Sequence, residues 1–291
     1  MLPVIGFIGL GLLGQAMALR LVKQGFTLVV WNREPERATA LAEVGARVVN
    51  SPQEVAELCR VICVCVINGR AVHDVVFGSQ GITRASQRDR RIIDFSTVPP
   101  NETREIAAEA EKYAMTWMDA PLSGGPTAAL KGELTAMVGG SAEDMKATNE
   151  IFSAVANRVT HVGTVGRGQE MKVVNQALVG ATFVMLAEAL ALTRGLGLDP
   201  EIVPQCLEGG FGDSVALQRV WSVMVNEKFD PPTGRAAQLL KDLHHVNELR
   251  EKCGLDLPVV EAAIGQYASY VQDHGGADME TLSISRMYQK Q

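Results

Sequence analysis

The chain has 291 residues, of which 47% are hydrophobic and 21% are charged, and its formal net charge at pH 7 is −6. A chain of this length buries one large core or two smaller ones, and the composition is that of an ordinary globular protein. The acidic balance argues against nucleic-acid and anionic-membrane partners, which need basic patches. The five cysteines show no metal-ligand spacing. We therefore expect no metal site and reduced thiols in a cytoplasmic protein.

The first predicted element is an apolar strand over 4–8, which a glycine-rich turn connects to a helix that stops near Gly25. The turn reads G-x-G-x-x-G, and between a strand and a helix this pattern predicts a dinucleotide-binding site. The first glycine makes a tight turn, the second lets the backbone approach a pyrophosphate, and the third lets the helix pack close to the strand. The predicted cofactor-binding residues here are Gly9, Leu10, Gly11, Leu12, Leu13 and Gly14.

The second predicted strand, 27–31, ends in Asn32 and Arg33. An acidic residue usually stands at this point and bonds the ribose hydroxyls of NAD. Asparagine removes the charge that would repel a 2′-phosphate, and the arginine guanidinium is suited to bind one. The pair therefore favours NADP(H) over NAD(H). A solvated Arg33 is the alternative, and the nearby Glu34 and Glu36 weaken the positive site, so NAD stays possible.

Strand-like and helix-like segments alternate through the first half of the chain. This alternation predicts a parallel, doubly wound sheet with helices on both faces. One helix start is explicit, because Ser51, Pro52 and Glu54 combine an N-cap, a proline at the first position and a capping-box acid. A further helix is predicted over 142–156. The remaining strand-like runs are 47–49, 61–66, 91–95, 115–119, 134–138 and 159–162.

After a cluster of glycines that ends at Gly168, strand patterns nearly vanish and helical patterns dominate. We assign 1–165 to a dinucleotide-binding Rossmann domain and 166–291 to an all-α domain for substrate binding and dimerisation. The segment 169–195 is long enough to join the two domains. Its apolar stretch is interrupted by polar residues, which favours a buried helix over a membrane span. The other predicted helices are 200–208, 214–227, 234–253 and 258–273.

Two segments carry candidate chemistry. In Asp119-Ala-Pro-Leu-Ser-Gly-Gly, the hydroxyl of Ser123 and the N–H groups of Gly124 and Gly125 are suited to hold a carboxylate, although a simple tight turn has the same sequence. At the entry to the long helix, Lys172 shares one helix face with the amides Asn175 and Gln176. Polar groups beside an apolar stretch need a reason, because unpaired burial is costly. A structural ion pair of Lys172 with Glu170 or another nearby acid is the alternative.

Together these segments resemble the β-hydroxyacid dehydrogenase family. The glycine fingerprint, D-A-P-x-S-G-G, G-x-G-x-x-x-K-x-x-N and the K-D-L of residues 241–243 occur in the family's order and approximate spacing. The resemblance covers nearly the whole chain. It implies an N-terminal Rossmann domain joined by a long interdomain helix to an all-α domain, in agreement with the segmentation above.

The resemblance also implies roles for single residues. Lys172 matches the catalytic lysine, which protonates the carbonyl oxygen during reduction. Ser123, Gly124 and Gly125 match the anchor for the substrate carboxylate, and Asn175 and Gln176 match helix amides that contact the substrate. The remaining matches are the cofactor-contacting positions Val66, Ile67 and Thr97, and Lys241, which matches a lysine that reaches the cofactor or the substrate.

The leading hypothesis is an NADP(H)-dependent reductase of a small semialdehyde acid such as tartronate semialdehyde, succinic semialdehyde or glyoxylate, or the reverse oxidation of a 3-hydroxy acid. One alternative is an NAD-dependent dehydrogenase of the 3-hydroxyisobutyrate type. Another is a non-catalytic cofactor-binding protein on the same fold. The segments 210–214 and 231–235 depart from the family pattern and leave the substrate open. The family commonly forms homodimers or homotetramers through the helical domain, and the apolar stretch 177–192 is consistent with this.

Overall fold

The computed structural model of the chain describes residues 3–86 and 88–289. Its contacts divide the chain into two compact units that meet in sequence between Lys172 and Val173. The assignment of cofactor binding to 1–165 and of substrate binding to 166–291 stays a prediction.

The first unit is a β-sheet with helices between its strands. Its strands are β1 (Val4–Ile8), β2 (Thr27–Trp31), β3 (Arg47–Val48), β4 (Val61–Val64), β5 (Arg90–Asp94), β6 (Met115–Asp119), β7 (Leu122–Ser123), β8 (Leu134–Gly139) and β9 (Ala156–Gly163). Its helices are α1 (Leu12–Lys23), α2 (Thr39–Glu43), α3 (Pro52–Leu58), α4 (Gly69–Phe77), α5 (Pro100–Glu111), α6 (Gly125–Lys131), α7 (Ala142–Ala147) and α8 (Asn149–Val155). Two 3₁₀ helices cover Pro35–Ala38 and Ile82–Arg84.

The strands of the described residues follow the order β3-β2-β1-β4-β5-β6-β8-β7, with β9 also paired to β8. The pairs that strands β1 to β6 form with one another are all parallel. The loops that follow them therefore share one edge of the sheet. The chain order reverses between β1 and β4, and in sheets of this kind ligands bind outside the strand ends at such a switch point.

Apolar side chains cover both faces of this sheet. On β1, Ile5 and Phe7 lie in one buried cluster, and Ile8 lies in a second cluster. On β4, Cys63 belongs to the first cluster and Ile62 to the second. Successive side chains of a strand point to opposite faces, so continuous apolar runs are what a sheet covered on both sides requires.

The last part of the first unit differs from the predicted pattern. The predicted helix over 142–156 is two helices, because the chain breaks at Thr148. The Thr148 hydroxyl donates to the Asp144 carbonyl over 2.8 Å, and such side-chain bonds compete with a continuing helix. Strand β8 runs antiparallel to β6 and β7 and parallel to β9, an orientation that alternation alone does not predict.

The second unit is helical. Helix α9 (Arg167–Gly195) begins in the first unit and continues into the second, which further contains α10 (Val203–Leu207), α11 (Val215–Val225), α12 (Ala236–Lys252) and α13 (Pro258–Gln272). Two 3₁₀ helices cover Pro200–Ile202 and Thr281–Tyr288. The structure thus confirms the predicted fold class, a Rossmann-like α/β domain followed by a long helix and a helical domain.

Helix α9 is long and apolar enough to cross a membrane by length and composition. Core helices of globular proteins meet the same criterion. Several α9 side chains, Val184, Leu186, Ala187 and Leu190, are buried in an apolar cluster of the second unit together with Trp221.

Candidate active site

The glycine turn between β1 and α1 has the geometry that the sequence predicts. Gly9 has a φ of 97°, and a Cβ on it would overlap the carbonyl of Cys65 after β4. A Cβ on Gly14 would overlap the carbonyl of Gly9, so this glycine lets α1 pack against the turn. At Gly11 a Cβ would meet nothing within 4 Å. The middle glycine therefore faces open space, where a ligand can approach the backbone.

The start of α1 leaves backbone donors for a ligand. Gly11 is the N-cap, and no side chain accepts a hydrogen bond from the first turn. No residue of this turn is acidic. Unpartnered N–H groups and the positive end of the helix dipole form a site for anions such as phosphate. The open face at Gly11 and these donors fit the pyrophosphate of a dinucleotide.

Asn32, at the end of β2, holds the glycine turn in place. Its Oδ1 accepts the N–H of Leu10 at 2.8 Å, and its Nδ2 donates to the carbonyl of Glu34 at 3.0 Å. The Leu10 side chain is buried. Arg33 is exposed, and its guanidinium lies 3.6 Å from the Glu34 carboxylate, which also pairs with Arg37. An exposed ion pair of this kind is worth about 0–1 kcal/mol, so a phosphate can compete for Arg33.

The loops after β4 and β5 meet at the same edge of the sheet. The N–H of Val66 donates to the hydroxyl of Ser96 at 3.0 Å. Ile67 is exposed beside it, and Thr97 is half-buried next to Ser96. The structure thus brings the three predicted cofactor-contacting positions of these two loops into one region.

The Ser123-Gly124-Gly125 segment is a strand end followed by two left-handed glycines. Ser123 pairs with Thr135 of β8, while Gly124 and Gly125 have φ values of 127° and 72°. A residue with a Cβ is strained at such positive φ values, so the turn requires glycine at both positions. A Cβ on Gly125 would meet nothing within 4 Å, so its backbone faces open space.

Lys172 lies beside this segment. Its side chain is buried, and Nζ donates to the carbonyl oxygen of Leu122 at 2.7 Å. Leu122, 50 residues before Lys172 in sequence, directly precedes the predicted carboxylate anchor, so the predicted lysine and the anchor are adjacent in the first unit. The alternative partner Glu170 pairs with Arg104 and Arg167.

Two buried carboxyl groups that were not predicted as site residues lie at the ends of neighbouring strands. Asp94 and Asp119 are register partners on β5 and β6 and are almost wholly buried. Burial raises the pKa of Asp94 to about 7 against the opposing hydrogen bonds from Ser96. Burial also raises the pKa of Asp119 to about 6, against hydrogen bonds from the N–H groups of Gly166 and Gln169. Two acids that each end an apolar strand, at 94 and 119, are the sequence signal for this pair.

In the second unit, two hydrogen bonds and one ion pair connect three predicted residues through Asp242. Asn175 donates to Gln176 over 2.7 Å, and Gln176 donates to the Asp242 carboxylate over 2.8 Å. Lys241 lies 3.2 Å from the other oxygen of the same carboxylate. Asp242, the middle residue of the K-D-L motif, therefore connects the polar side chains of α9 with Lys241 on α12.

The fold and the glycine turn define a Rossmann protein of the dinucleotide-binding class. Residues 4–163 match the family described as the NAD binding domain of 6-phosphogluconate dehydrogenase. Residues 166–288 match the family described as NAD-binding of NADP-dependent 3-hydroxyisobutyrate dehydrogenase. The chain belongs to the β-hydroxyacid dehydrogenase family, whose members are NAD(P)-dependent hydroxyacid dehydrogenases.

Individual relatives agree with this assignment. The chain is 34% identical over 254 residues to 2-hydroxy-3-oxopropionate reductase of Escherichia coli (strain K12), which covers 87% of this chain and 86% of that protein. It is 35% identical over 230 residues to the mitochondrial 3-hydroxyisobutyrate dehydrogenase of Mus musculus, covering 79% of this chain and 66% of the mouse protein. The structure of Mycobacterium tuberculosis 3-hydroxyisobutyrate dehydrogenase with L-serine superposes with a TM-score of 0.87 at 26% identity and covers all of both chains.

The raised pKa of Asp94 predicts a pH-dependent stability. The folded protein holds the Asp94 proton up to about pH 7, whereas the unfolded chain releases it near its ordinary value of 3.8. Proton binding therefore stabilises the fold at low pH, and this contribution is lost as pH rises through 7. We expect Asp94→Asn to gain unfolding free energy relative to the wild type as pH is raised from 5 to 8, measured by urea denaturation.

Asp144→Asn is the matched control. Asp144 is also buried, but hydrogen bonds from Ser141, Arg91 and Thr116 outweigh burial and lower its pKa. Its carboxylate is ionised throughout this pH range, so the loss of stability in Asp144→Asn should not vary between pH 5 and 8. A difference between Asp94→Asn and the wild type that is equally constant would contradict the prediction.

Proposed function

We propose that the protein transfers a hydride between NADP(H) and a small semialdehyde acid or the corresponding 3-hydroxy acid. The observation that carries this proposal is the buried Nζ of Lys172, 2.7 Å from the Leu122 carbonyl oxygen and beside the Ser123-Gly124-Gly125 turn. The proposed proton donor and the proposed carboxylate anchor are thereby adjacent in the unit that contains the glycine turn. The substrate class agrees with the names of the E. coli and mouse relatives.

The proposed mechanism assigns one task to each group. The nicotinamide, when bound, supplies or accepts the hydride. Lys172 donates a proton to the carbonyl oxygen as that oxygen gains charge during reduction, and takes it back during oxidation. The Ser123 hydroxyl and the N–H groups of Gly124 and Gly125 bind the substrate carboxylate. The family resemblance assigns Asn175 and Gln176 to substrate contact. When the substrate carboxylate and the carbonyl oxygen are both bound, the reacting carbon has little freedom to move, and such positioning lowers the activation barrier.

The proposal for NADP(H) rests on the end of β2. Asn32 is neutral where an acid would repel a 2′-phosphate, and Arg33 is exposed beside it. The description of the second matching family as NADP-dependent supports the same preference. The Arg33–Glu34 pair favours the second candidate, an NAD-dependent enzyme of the 3-hydroxyisobutyrate type, because Glu34 offsets part of the positive charge.

We expect Arg33→Ala to raise the Kd of NADPH about 10-fold and to leave the Kd of NADH unchanged, because a charge-assisted hydrogen bond to the 2′-phosphate is lost. Fluorescence titration of both cofactors measures this. Arg60→Ala is the control, since exposed Arg60 precedes β4 at the opposite edge of the sheet. Equal effects on both cofactors, or none on either, would sink the NADP(H) preference.

We also propose a cytoplasmic homodimer or homotetramer that assembles through the helical unit. Val174, Leu178, Met185 and Leu192 are each more than half exposed, and their spacing places them on one face of α9. Exposed apolar patches of this kind mark interaction surfaces. Light scattering tests the assembly, with a dimer or tetramer expected and a monomer contradicting it.

A panel of semialdehydes tests the proposed activity directly. We expect NADPH oxidation with at least one of tartronate semialdehyde, succinic semialdehyde, methylmalonate semialdehyde and glyoxylate. On that substrate, Lys172→Ala should lower kcat by about 10²–10⁴, the usual worth of a positioned proton donor, with the Kd of NADPH near that of the wild type. Lys146→Ala, at an exposed lysine on α7, should leave kcat unchanged.

Two results would count against the assignment. Turnover by Lys172→Ala within a few-fold of the wild type removes this residue from the proton-transfer role. Tight NADPH binding by the wild type with no turnover across the panel favours the non-catalytic cofactor-binding alternative.

A further inference from the structure

The start of α9 is capped by a residue far away in sequence. The carbonyl of Gly166 accepts the first helical bond, from the N–H of Glu170, so Gly166 is the N-cap, and it has no side chain to accept the N–H groups of the first turn. Asp119, at the end of β6, takes that role. Its two carboxylate oxygens accept the N–H of Gly166 at 2.7 Å and the N–H of Gln169 at 2.8 Å.

The backbone of α9 lies directly against the sheet at this point. A Cβ on Gly168 would lie 2.7 Å from the carbonyl oxygen of Asp119 and 2.8 Å from its carboxylate. Only glycine permits this approach. Gly168 therefore determines how closely α9 approaches β6. Asp119 determines the position of the first turn of α9 along β6.

The same turn is fixed a second time by Gln169. Its buried side chain donates to the carbonyl of Ser96 at 2.7 Å and accepts the N–H of Val98 at 3.3 Å. These two bonds bracket Thr97. The first turn of α9 is thereby attached to β6 and to the loop after β5.

Lys172 follows Gln169 by three residues, about 4.5 Å along the helix axis. Any sliding or tilting of the first turn would move its ammonium away from the Leu122 carbonyl and the Ser123 segment. We propose that Asp119 is a positioning residue, whose buried carboxylate holds the first turn of α9 so that Lys172 stands beside the substrate anchor. This inference rests on the proposed role of Lys172.

A double-mutant cycle tests the inference, at pH 8, where the Asp119 carboxyl with its pKa of about 6 is ionised. Asp119→Asn keeps the shape but leaves one oxygen to accept two N–H groups. We expect it to lower kcat about 10- to 100-fold, as displacement by about 1 Å does, with the Kd of NADPH within 3-fold of the wild type. In the Lys172→Ala background the same change should lower kcat less than 3-fold, because the group it positions is gone.

Asp144→Asn is the control for loss of a buried carboxylate. It breaks bonds to Ser141 and Thr116 and the pair with Arg91 in the same unit, away from α9. It should lower the Tm and leave kcat within 2-fold of the wild type. If Asp119→Asn does not fold, Gln169→Met enters the same cycle, since it removes both bonds that fix this turn to the β5 loop and keeps the side-chain volume.

The outcomes separate the two claims. A large loss of kcat in Asp119→Asn that vanishes in the Lys172→Ala background supports the inference. An equal fold-loss in both backgrounds, or a folded Asp119→Asn with kcat within 3-fold of the wild type, overturns the inference and leaves the role of Lys172 intact. A Lys172→Ala enzyme that turns over like the wild type overturns both.

Discussion

The contact on which the rest of the site depends is the one between a buried carboxylate and a helix end. Both carboxylate oxygens of Asp119 accept hydrogen bonds from backbone N–H groups at the start of α9. Without such an acceptor, a helix that begins against a sheet would bury donors that water cannot reach, at about 1–3 kcal/mol for each group. The same contact determines where the lysine one turn later stands. The stability of the sheet–helix junction and the placement of Lys172 therefore depend on the same carboxylate.

Glycines make this arrangement sterically possible. At Gly14 and Gly168 a side chain would overlap backbone atoms of a neighbouring strand or turn, so each allows a helix to approach the carboxyl edge of the sheet. At Gly11 and Gly125 the missing side chain leaves open space instead. Gly14 and Gly168 permit close packing, and Gly11 and Gly125 leave the backbone accessible to a ligand. The proposed cofactor site and the proposed substrate anchor therefore each combine one glycine of either kind.

Local patterns in the sequence were enough for much of this fold. Continuous apolar runs such as 4–8 and 27–31 predicted the buried parallel strands, and the glycine pattern at 9–14 predicted the turn between β1 and α1, because such features depend on neighbouring residues. The long helix was placed within two residues of its observed start at Arg167. The break at Thr148 was missed, because a threonine side chain that bonds back to the helix looks locally like any helical threonine.

The missing parts of the site were long-range contacts. The bond from Asp119 to Gln169 spans 50 residues, and that from Gln169 to Ser96 spans 73, so no periodicity or spacing records them. Asn32 was predicted to influence the choice of cofactor. Its hydrogen bond from the Leu10 N–H was not predicted, because it depends on how the end of β2 lies against the glycine turn. Asp242 was read as part of a helix motif, and its role as the common partner of Gln176 and Lys241 depends on how α9 and α12 pack.

The central claim is that α9, held by Asp119, presents Lys172 to the reacting oxygen of an anchored carboxylate substrate. A crystal structure of the wild-type protein with NADP⁺ and the hydroxy acid product tests it most directly. The account predicts Lys172 Nζ within about 3.2 Å of the product hydroxyl, and the product carboxylate on Ser123 and the following glycine N–H groups. A product hydroxyl bound by another side chain, with Lys172 out of hydrogen-bond range, would contradict it.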